Sequence, residues 1–263
     1  MTGQPIETRA RVIYDTDLGG DVDDALALAY LVKSELIDLR GVFTVYGPTE
    51  IRSREAKTLL MTIGNEEVMV FSGGSEPLSE GKTVWTTGHE DYLVEDVEVS
   101  EGDLWEVVVS QTESSKMTFL ATGPLSNMAK MIEEVGVEEF GKRVERIVLM
   151  GGAVGKNQFF SGIEHNFAAD PLAAKIVVES GLPIVIIPVD LTLDWPMTEG
   201  HRSRIGKAGG RDTELLAKWI DKWREVTRTF PENIPFLTWF IIMIRLQPCI
   251  LIIRSYLRQR DFL

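Results

Sequence analysis

The sequence has very little cysteine, with only Cys249 among its 263 residues. A lone cysteine excludes an intramolecular disulfide and is typical of proteins in a reducing compartment. The N-terminal segment MTGQPIETRARV also lacks the apolar core of a secretory signal peptide. These two absences predict a cytoplasmic protein.

Positive charge is scarce as well. The formal net charge is −13 and no basic stripe is visible, which argues against a nucleic-acid partner. The apolar run WFIIMI…ILII near the C-terminus is interrupted by Arg245, Gln247 and Pro248 and is too short to span a membrane. Because the sequence contains no internal repeat and no low-complexity linker, we predict a single domain over residues 1–263.

Short apolar runs alternate with segments of helical spacing. The predicted strands cover residues 12–14, 39–46, 68–71, 116–121, 146–150 and 182–189, the last being the most clearly buried. The predicted helices begin near Asp23, Glu50, Met128, Asp170-Pro171 and Thr213. This alternation indicates an α/β fold with a mostly parallel central sheet covered by helices on both faces. Ligands of such sheets bind beyond the carboxyl ends of the strands.

The chemistry concentrates in residues 12–31, VIYDTDLGGDVDDALALAYL. A strand leads into a glycine turn and a helix start, and the stretch carries five carboxylates: Asp15, Asp17, Asp21, Asp23 and Asp24. Crowded like charges repel one another, and a bound cation removes that cost. Oxygen ligands favour a hard ion, Ca²⁺ or Mg²⁺. The plainer alternative is that two acids cap the helix while the others are solvated.

Two other acidic motifs fit this stretch less well. In an EF-hand that starts at Asp15, position twelve is Leu26, where a bidentate Glu is needed. A haloacid-dehalogenase phosphatase uses Asp-x-Asp after a strand, which accounts for Asp15 and Asp17 but leaves Asp23-Asp24 without a role. That enzyme also needs Mg²⁺ and a lysine near the phosphate, and no later lysine followed by an acidic pair stands out.

Several further motifs follow the predicted strands or open the predicted helices. They are Thr122-Gly123-Pro124-Leu125-Ser126-Asn127, whose Ser126 or Asn127 can cap a helix, Met150-Gly151-Gly152, Glu164-His165-Asn166, Asp170-Pro171 and Asp190-Leu191-Thr192. Together with the acidic stretch, they resemble the inosine-uridine-preferring nucleoside hydrolases, which are calcium-dependent N-ribohydrolases. The resemblance implies a nucleoside-hydrolase-like, Rossmann-related α/β fold and an assembly into homodimers or homotetramers.

The resemblance also implies a reaction. A ribonucleoside would be cleaved at its N-glycosidic bond to give free base and ribose, as in purine or pyrimidine salvage. The attacking water would be bound to Ca²⁺, with Asp17 as the general base. The implied metal ligands are Asp15, Asp17, Asp23, Asp24 and the carbonyl of Thr122. The implied substrate-binding residues are Asp23, Asp24, His89, Met150, Asn157, Glu164 and Asn166, although a loop histidine such as His89 is more often simply solvated.

The resemblance breaks near the C-terminus. After residue 236 the family expects His-Asp-Pro or His-Asp-Ser, but no histidine follows His201 and the only acid is Asp261. A frame-shifted or truncated terminus and an unusual buried C-terminal helix are both compatible with this change. A second departure is Pro48, where many relatives have a substrate-contacting Asn. We therefore expect weak or absent turnover, and a non-catalytic Ca²⁺- and ribose-binding relative remains the alternative.

Overall fold

The structure of this protein, a computed structural model, describes residues 9–84, 86–87, 89–154, 164–192 and 197–228. Two features singled out in the sequence lie outside these ranges. They are Asn157 and the departure from the family pattern after residue 236.

Strands and helices alternate along most of the described chain. The first half contains β1 (Ala10–Thr16), α1 (Asp23–Lys33), β2 (Ile37–Thr44), α2 (Thr49–Ile63), β3 (Val70–Ser72), α3 (Leu104–Gln111), β4 (Met117–Ala121) and α4 (Ser126–Val135). The second half contains α5 (Val137–Arg143), β5 (Val144–Met150), α6 (His165–Ala169), α7 (Pro171–Val178), β6 (Ile184–Ile187), α8 (Val189–Thr192), α9 (Glu199–Lys207) and α10 (Arg211–Thr227).

The strands form one parallel sheet in the order β3-β2-β1-β4-β5-β6. The chain therefore starts in the middle of the sheet, runs to one edge through β2 and β3, and then builds the other edge from β4 to β6. The direction of winding reverses between β1 and β4, and in doubly wound sheets this reversal opens a crevice for ligands.

Both faces of the sheet are covered, as predicted. Side chains alternate along β1, so that Val12 and Tyr14 pack in one apolar cluster while Ile13 packs in the other. The first cluster includes residues of α1, α2 and α10, and the second includes residues of α4 and α7. Burial on both faces explains the continuous apolar strands and confirms the predicted fold class.

Near the end of the described chain, the structure differs from the sequence-based expectation in two places. The strand predicted for residues 182–189 is shorter, because β6 ends at Ile187 and Val189–Thr192 turns into the short helix α8. β6 is also the edge strand of the described sheet, where Ile186 is 39% exposed rather than buried. Residues 199–207, which look merely polar in the sequence, form α9, since the Thr198 side chain caps the N–H of His201.

The described helices are of ordinary length for a globular protein, and the longest, α10, has 17 residues. Within the part of the chain that the structure describes, no helix is both long enough and apolar enough to cross a membrane.

Candidate active site

The acidic stretch lies at the carboxyl end of β1, where the predicted strand, turn and helix are all present. Asp15 is 1% exposed at the strand end, and Gly19 turns the chain with a φ of +99°. The N-cap of α1 is Val22, and no side chain caps the helix. Asp23 and Asp24 lie in the first turn, where negative charge favours the helix dipole. The alternative in which two acids cap α1 is therefore wrong.

Burial and mutual repulsion act on three acids of this turn. Burial is the main cause that raises the pKa of Asp17; the charge of Asp24 adds to it and the Arg52 guanidinium opposes it. Burial, followed by the charge of Asp24, also raises the pKa of Asp23. Burial raises the pKa of Asp24 as well, against hydrogen bonds that lower it. Because these carboxylates disfavour one another's charged forms, the turn is suited to a bound cation.

Asn127, in the first turn of α4, binds Asp15 through a hydrogen bond. The Asn127 side chain donates from Nδ2 to Asp15 Oδ1 at 2.8 Å and to the carbonyl of Thr44 at 3.1 Å. Its Oδ1 accepts from the N–H of Gly74 at 2.8 Å. Burial raises the pKa of Asp15 to about 7, and the bond from Asn127 opposes this rise. The other oxygen of Asp15, Oδ2, is buried without a hydrogen-bond partner among the described residues.

Neither Ser126 nor Asn127 caps α4, because the N-cap is Leu125 and no side chain accepts a hydrogen bond there. The Ser126 hydroxyl instead donates to Asp170 Oδ2 at 2.6 Å. Asp170 is the N-cap of α7 and accepts from the N–H of Ala173 at 3.2 Å, which confirms the helix start predicted at Asp170-Pro171.

Tyr14 connects the acidic turn to β4. Its hydroxyl donates to Asp24 Oδ1 at 2.8 Å and accepts from the Thr122 hydroxyl at 3.0 Å. The N–H of Thr122 donates to the carbonyl of Asp15 at 2.9 Å. The two predicted ligand segments, after β1 and after β4, are therefore in direct contact.

Asn166 links the predicted residues Thr122 and Met150. Its Nδ2 donates to the carbonyl of Thr122 at 2.7 Å and to the carbonyl of Met150 at 3.1 Å. The predicted residues Thr122, Met150 and Asn166 thus meet at the carboxyl ends of β4 and β5. A carbonyl oxygen has two lone pairs, so the bond from Asn166 leaves Thr122 one position for a second partner.

Glu164 holds the loop after β5 against the start of α6. Its carboxylate accepts from the N–H groups of Asn166 at 2.7 Å, Gly152 at 2.9 Å and Phe167 at 3.1 Å. Burial raises the pKa of Glu164, and these three bonds oppose the rise. Gly151 lies against the Phe167 ring so closely that a Cβ would stand 2.2 Å from it. This close approach requires glycine at that position.

His89 lies in a loop, as predicted, and its surroundings include the acidic turn. Burial lowers the pKa of His89, while the charges of Glu90 and Asp21 oppose this effect. Glu90 orders the loop by accepting from the N–H groups of Thr87 at 2.8 Å and His89 at 2.9 Å. In the described part of the chain, the buried Nδ1 of His89 has no hydrogen-bond partner.

Sequence reasoning gave no role in the site to four side chains that contact the acidic turn: Tyr14, Arg52, Asn127 and Trp223. Trp223 of α10 donates from Nε1 to Asp21 Oδ1 at 2.6 Å. Asn127 is the last residue of the motif Thr122-Gly123-Pro124-Leu125-Ser126-Asn127, so the sequence did mark its position. Arg52 and Trp223 lie on amphipathic helices, where nothing in the local pattern distinguishes them from neighbouring residues.

A metal site can be tested against these contacts. The unpartnered, buried Asp15 Oδ2 and the repulsion among the neighbouring carboxylates fit a hard divalent cation with oxygen ligands. Among the described residues, however, no group of three His, Cys, Asp or Glu side chains is arranged to hold a metal ion. The donors are therefore of the right kind, and the described residues alone form an incomplete ligand set.

Doubly wound α/β proteins bind their ligands beyond the carboxyl ends of the strands at the point of reversal, and the buried carboxylates of this chain lie there. The family model described as "Inosine-uridine preferring nucleoside hydrolase" matches residues 12–253. The chain belongs to this family of hydrolases, as the resemblance implied. The match extends past residue 236, where the sequence motifs depart from the family pattern.

Two curated relatives have names that specify a pyrimidine nucleoside as substrate. The chain is 30% identical over 229 residues to the pyrimidine-specific ribonucleoside hydrolase RihB of Escherichia coli O157:H7, covering 80% of this chain and 69% of the relative. It is 28% identical over 241 residues to uridine nucleosidase 1 of Arabidopsis thaliana, covering 85% of this chain and 69% of the relative.

Solved structures share the fold. A purine-preferring ribonucleoside hydrolase from Gardnerella vaginalis superposes with a TM-score of 0.76 at 25% identity, over 90% of this chain and 79% of that one. The plant nucleoside hydrolase PpNRh1 superposes with a TM-score of 0.74 at 24% identity, over 84% of this chain and 73% of that one.

Proposed function

We propose that this protein is a calcium-dependent ribonucleoside hydrolase that cleaves the N-glycosidic bond to give free base and ribose. The observation that carries the proposal is the convergence of the acidic turn with Thr122, Met150 and Asn166 at one edge of the sheet. These are residues that the family resemblance assigns to the metal and the ribose. Family membership also leaves the haloacid-dehalogenase phosphatase without support.

In the proposed mechanism, Asp17 is the general base. Its carboxylate takes a proton from a water molecule whose oxygen forms the new bond to the ribose anomeric carbon. The bond from that carbon to the base nitrogen breaks, the base leaves with the bonding electrons and takes up a proton from the solvent, and Asp17 afterwards releases its proton to the solvent. Burial and the charge of Asp24 raise the pKa of Asp17 in the chain without metal, and a bound cation would lower it again.

The remaining side chains hold the sugar. Asp23 and Asp24 accept hydrogen bonds from ribose hydroxyls, while Met150, Glu164 and Asn166 line the sugar ring. The positive charge that develops on the ring in an oxocarbenium-like transition state is stabilised by the negative ends of these dipoles and carboxylates. His89 belongs to the same proposed binding site, at its loop side.

Calcium, when bound, would supply the positive charge that offsets the acidic turn and orients the ribose hydroxyls and the water. Asp15, Asp17, Asp23 and Asp24, with the carbonyl of Thr122, would hold it. The raised pKa values of the turn support this assignment, because a neighbouring cation would relieve the repulsion that causes part of the rise. The homodimeric or homotetrameric assembly and the cytoplasmic location stay predictions.

The decisive experiment is a reducing-sugar assay of ribose release from inosine, uridine and adenosine, with Ca²⁺ and with a chelator. We expect the Ca²⁺-dependent release to be weak, because the C-terminal His-Asp pair is missing, and we expect Asp17→Asn to lower it by about 10²–10⁴-fold, the usual contribution of a general base. Asp96→Asn is the matched control, because the Asp96 side chain is 97% exposed and pairs only with Arg54 among the described residues.

Two outcomes contradict parts of this proposal. Absence of release, with Ca²⁺ still raising the melting temperature, favours the non-catalytic Ca²⁺- and ribose-binding relative, consistent with the missing C-terminal His-Asp pair. Absence of both release and stabilisation by Ca²⁺ contradicts the hydrolase and the metal site together.

A further inference from the structure

Arg52 of α2 is buried beside the acidic turn with only 1% of its surface exposed. Burying a guanidinium is costly unless its donors are satisfied and its charge is compensated. The contacts of Arg52 should therefore show what compensates its burial.

The partners of Arg52 are backbone carbonyls from two segments. Its Nε donates to the carbonyl of Tyr46 at 2.8 Å, just beyond β2. Its Nη1 donates to the carbonyl of Leu18 at 2.9 Å and to the carbonyl of Asp17. Among the described residues Arg52 forms no salt bridge, so its role is to join the end of β2 to the acidic turn.

Both joined segments contain a residue with a positive φ, which is strained for Tyr46 and ordinary for Gly19. Tyr46 has a φ of +63°, which is disfavoured for a residue with a bulky side chain. Gly19, directly after Leu18, has a φ of +99°. One planar, rigid guanidinium fork can hold both segments at a fixed distance, whereas the single ammonium of a lysine cannot present the same two directions.

We infer that Arg52 is a positioning residue which, by holding the carbonyls of Asp17 and Leu18, sets the direction of the Asp17 carboxylate. This inference rests on the proposed function of Asp17 as the general base. The charge of Arg52 supports the same role, since a cation that is held by carbonyls stabilises the nearby carboxylates without neutralising any of them in a close ion pair.

The experiment compares Arg52→Lys and Arg52→Met with Arg54→Lys and Arg54→Met in the full chain. Arg54 is the matched control, because it lies on the same helix with its side chain 37% exposed and pairs with Asp96. The first readout is the kcat and KM for uridine and inosine. The second is hydrogen exchange at the amides of Leu18 and Gly20, which are bonded to Thr16 Oγ1 at 3.1 Å and to the Asp17 carbonyl at 3.2 Å.

We expect Arg52→Lys to fold, to lower kcat by about 10²-fold because catalytic geometry tolerates little displacement, and to change KM by less than about threefold. Exchange at Leu18 and Gly20 should accelerate in both Arg52 variants and in neither Arg54 variant. Any one of three results would overturn the inference: a kcat of Arg52→Lys within about threefold of the wild type, unchanged hydrogen exchange at Leu18 and Gly20, or failure of Arg52→Lys to fold. If the wild type releases no ribose from any nucleoside, the proposed function fails, and the exchange comparison still decides whether Arg52 holds the turn.

Discussion

Substitution of Asp170 by Asn tests whether one buried carboxylate holds three segments together. Asp170 accepts hydrogen bonds from the N–H of Leu78 at 2.7 Å, the N–H and hydroxyl of Ser79 at 3.1 and 2.7 Å, the hydroxyl of Ser126 at 2.6 Å and the N–H of Ala173 at 3.2 Å. All five partners donate to it, and the residue has no exposed surface. The site therefore requires an acceptor on both carboxylate oxygens.

The magnitude follows from this count. Asn preserves one acceptor oxygen, which can keep the bonds to Ser79 and Ala173, but its NH₂ group faces the N–H of Leu78. The Ser126 hydroxyl can rotate to accept a hydrogen bond from the new NH₂ group. The N–H of Leu78 loses its charge-assisted bond and faces a second donor. The remaining bonds are weakened because their acceptor is no longer charged. At about 1.5–3 kcal/mol for a bond to a charged group, we expect a loss of about 3 kcal/mol. That corresponds to a melting temperature lower by about 6–12 °C.

The assay is urea unfolding of the wild type and Asp170→Asn at several pH values. Although burial raises the pKa of Asp170, the bonds from Ser126 and Ser79 outweigh it and hold the pKa below its usual value. A carboxylate with a depressed folded pKa stabilises above its unfolded pKa, about 3.9, and this stability is lost as pH falls through the folded pKa. The difference in free energy of unfolding between the wild type and Asp170→Asn should therefore become smaller below about pH 4.

Asp103→Asn is the control for this prediction. Asp103 is likewise an N-cap and accepts from the N–H groups of Trp105 at 2.9 Å and Glu106 at 3.0 Å, but it is exposed. Asn caps helices as well as Asp does, so this change should cost less than about 0.5 kcal/mol. An Asp170→Asn protein within about 1 kcal/mol of the wild type at pH 7 would refute the reasoning.

Two other substitutions test contacts around the site. Gly151→Ala should lower the free energy of unfolding by about 1–3 kcal/mol, because the new methyl group meets the Phe167 ring, and an unchanged urea midpoint would contradict that close contact. Trp223→Phe should lose the bond to Asp21, with a coupling of about 1 kcal/mol in a double-mutant cycle with Asp21→Ala. Trp219→Phe, whose indole donates elsewhere, should show no coupling to Asp21.

The parallel sheet and the acidic turn could be predicted from sequence because their signals are local. Each strand-turn-helix unit is specified by the hydrophobic spacing, glycines and acids within a few neighbouring residues. The topology then brings the carboxyl ends of β1, β4 and β5 together without further information. Thr122, Met150 and Asn166, whose roles were implied by the family resemblance, meet there in the structure.

The contacts that order the site could not be predicted in the same way, because they join residues far apart in sequence. Asn127 and Asp15 are 112 residues apart, and Trp223 and Asp21 are 202 apart. Asn127 therefore looked like a local helix cap, since Asn commonly caps helices. β6 was misjudged for a related reason, because its apolar sequence predicts burial but its place at the edge of the described sheet leaves Ile186 exposed.

These long-range contacts make the five acids of the turn unequal. Three of them accept a hydrogen bond from a side chain of another element: Asp15 from Asn127, Asp24 from Tyr14 and Asp21 from Trp223. Within the described chain, Asp17 and Asp23 accept no such bond, and burial and the charge of Asp24 raise the pKa of each. Of the two, Asp17 is the one whose backbone Arg52 holds, and this favours Asp17 for the step that demands the most accurate geometry.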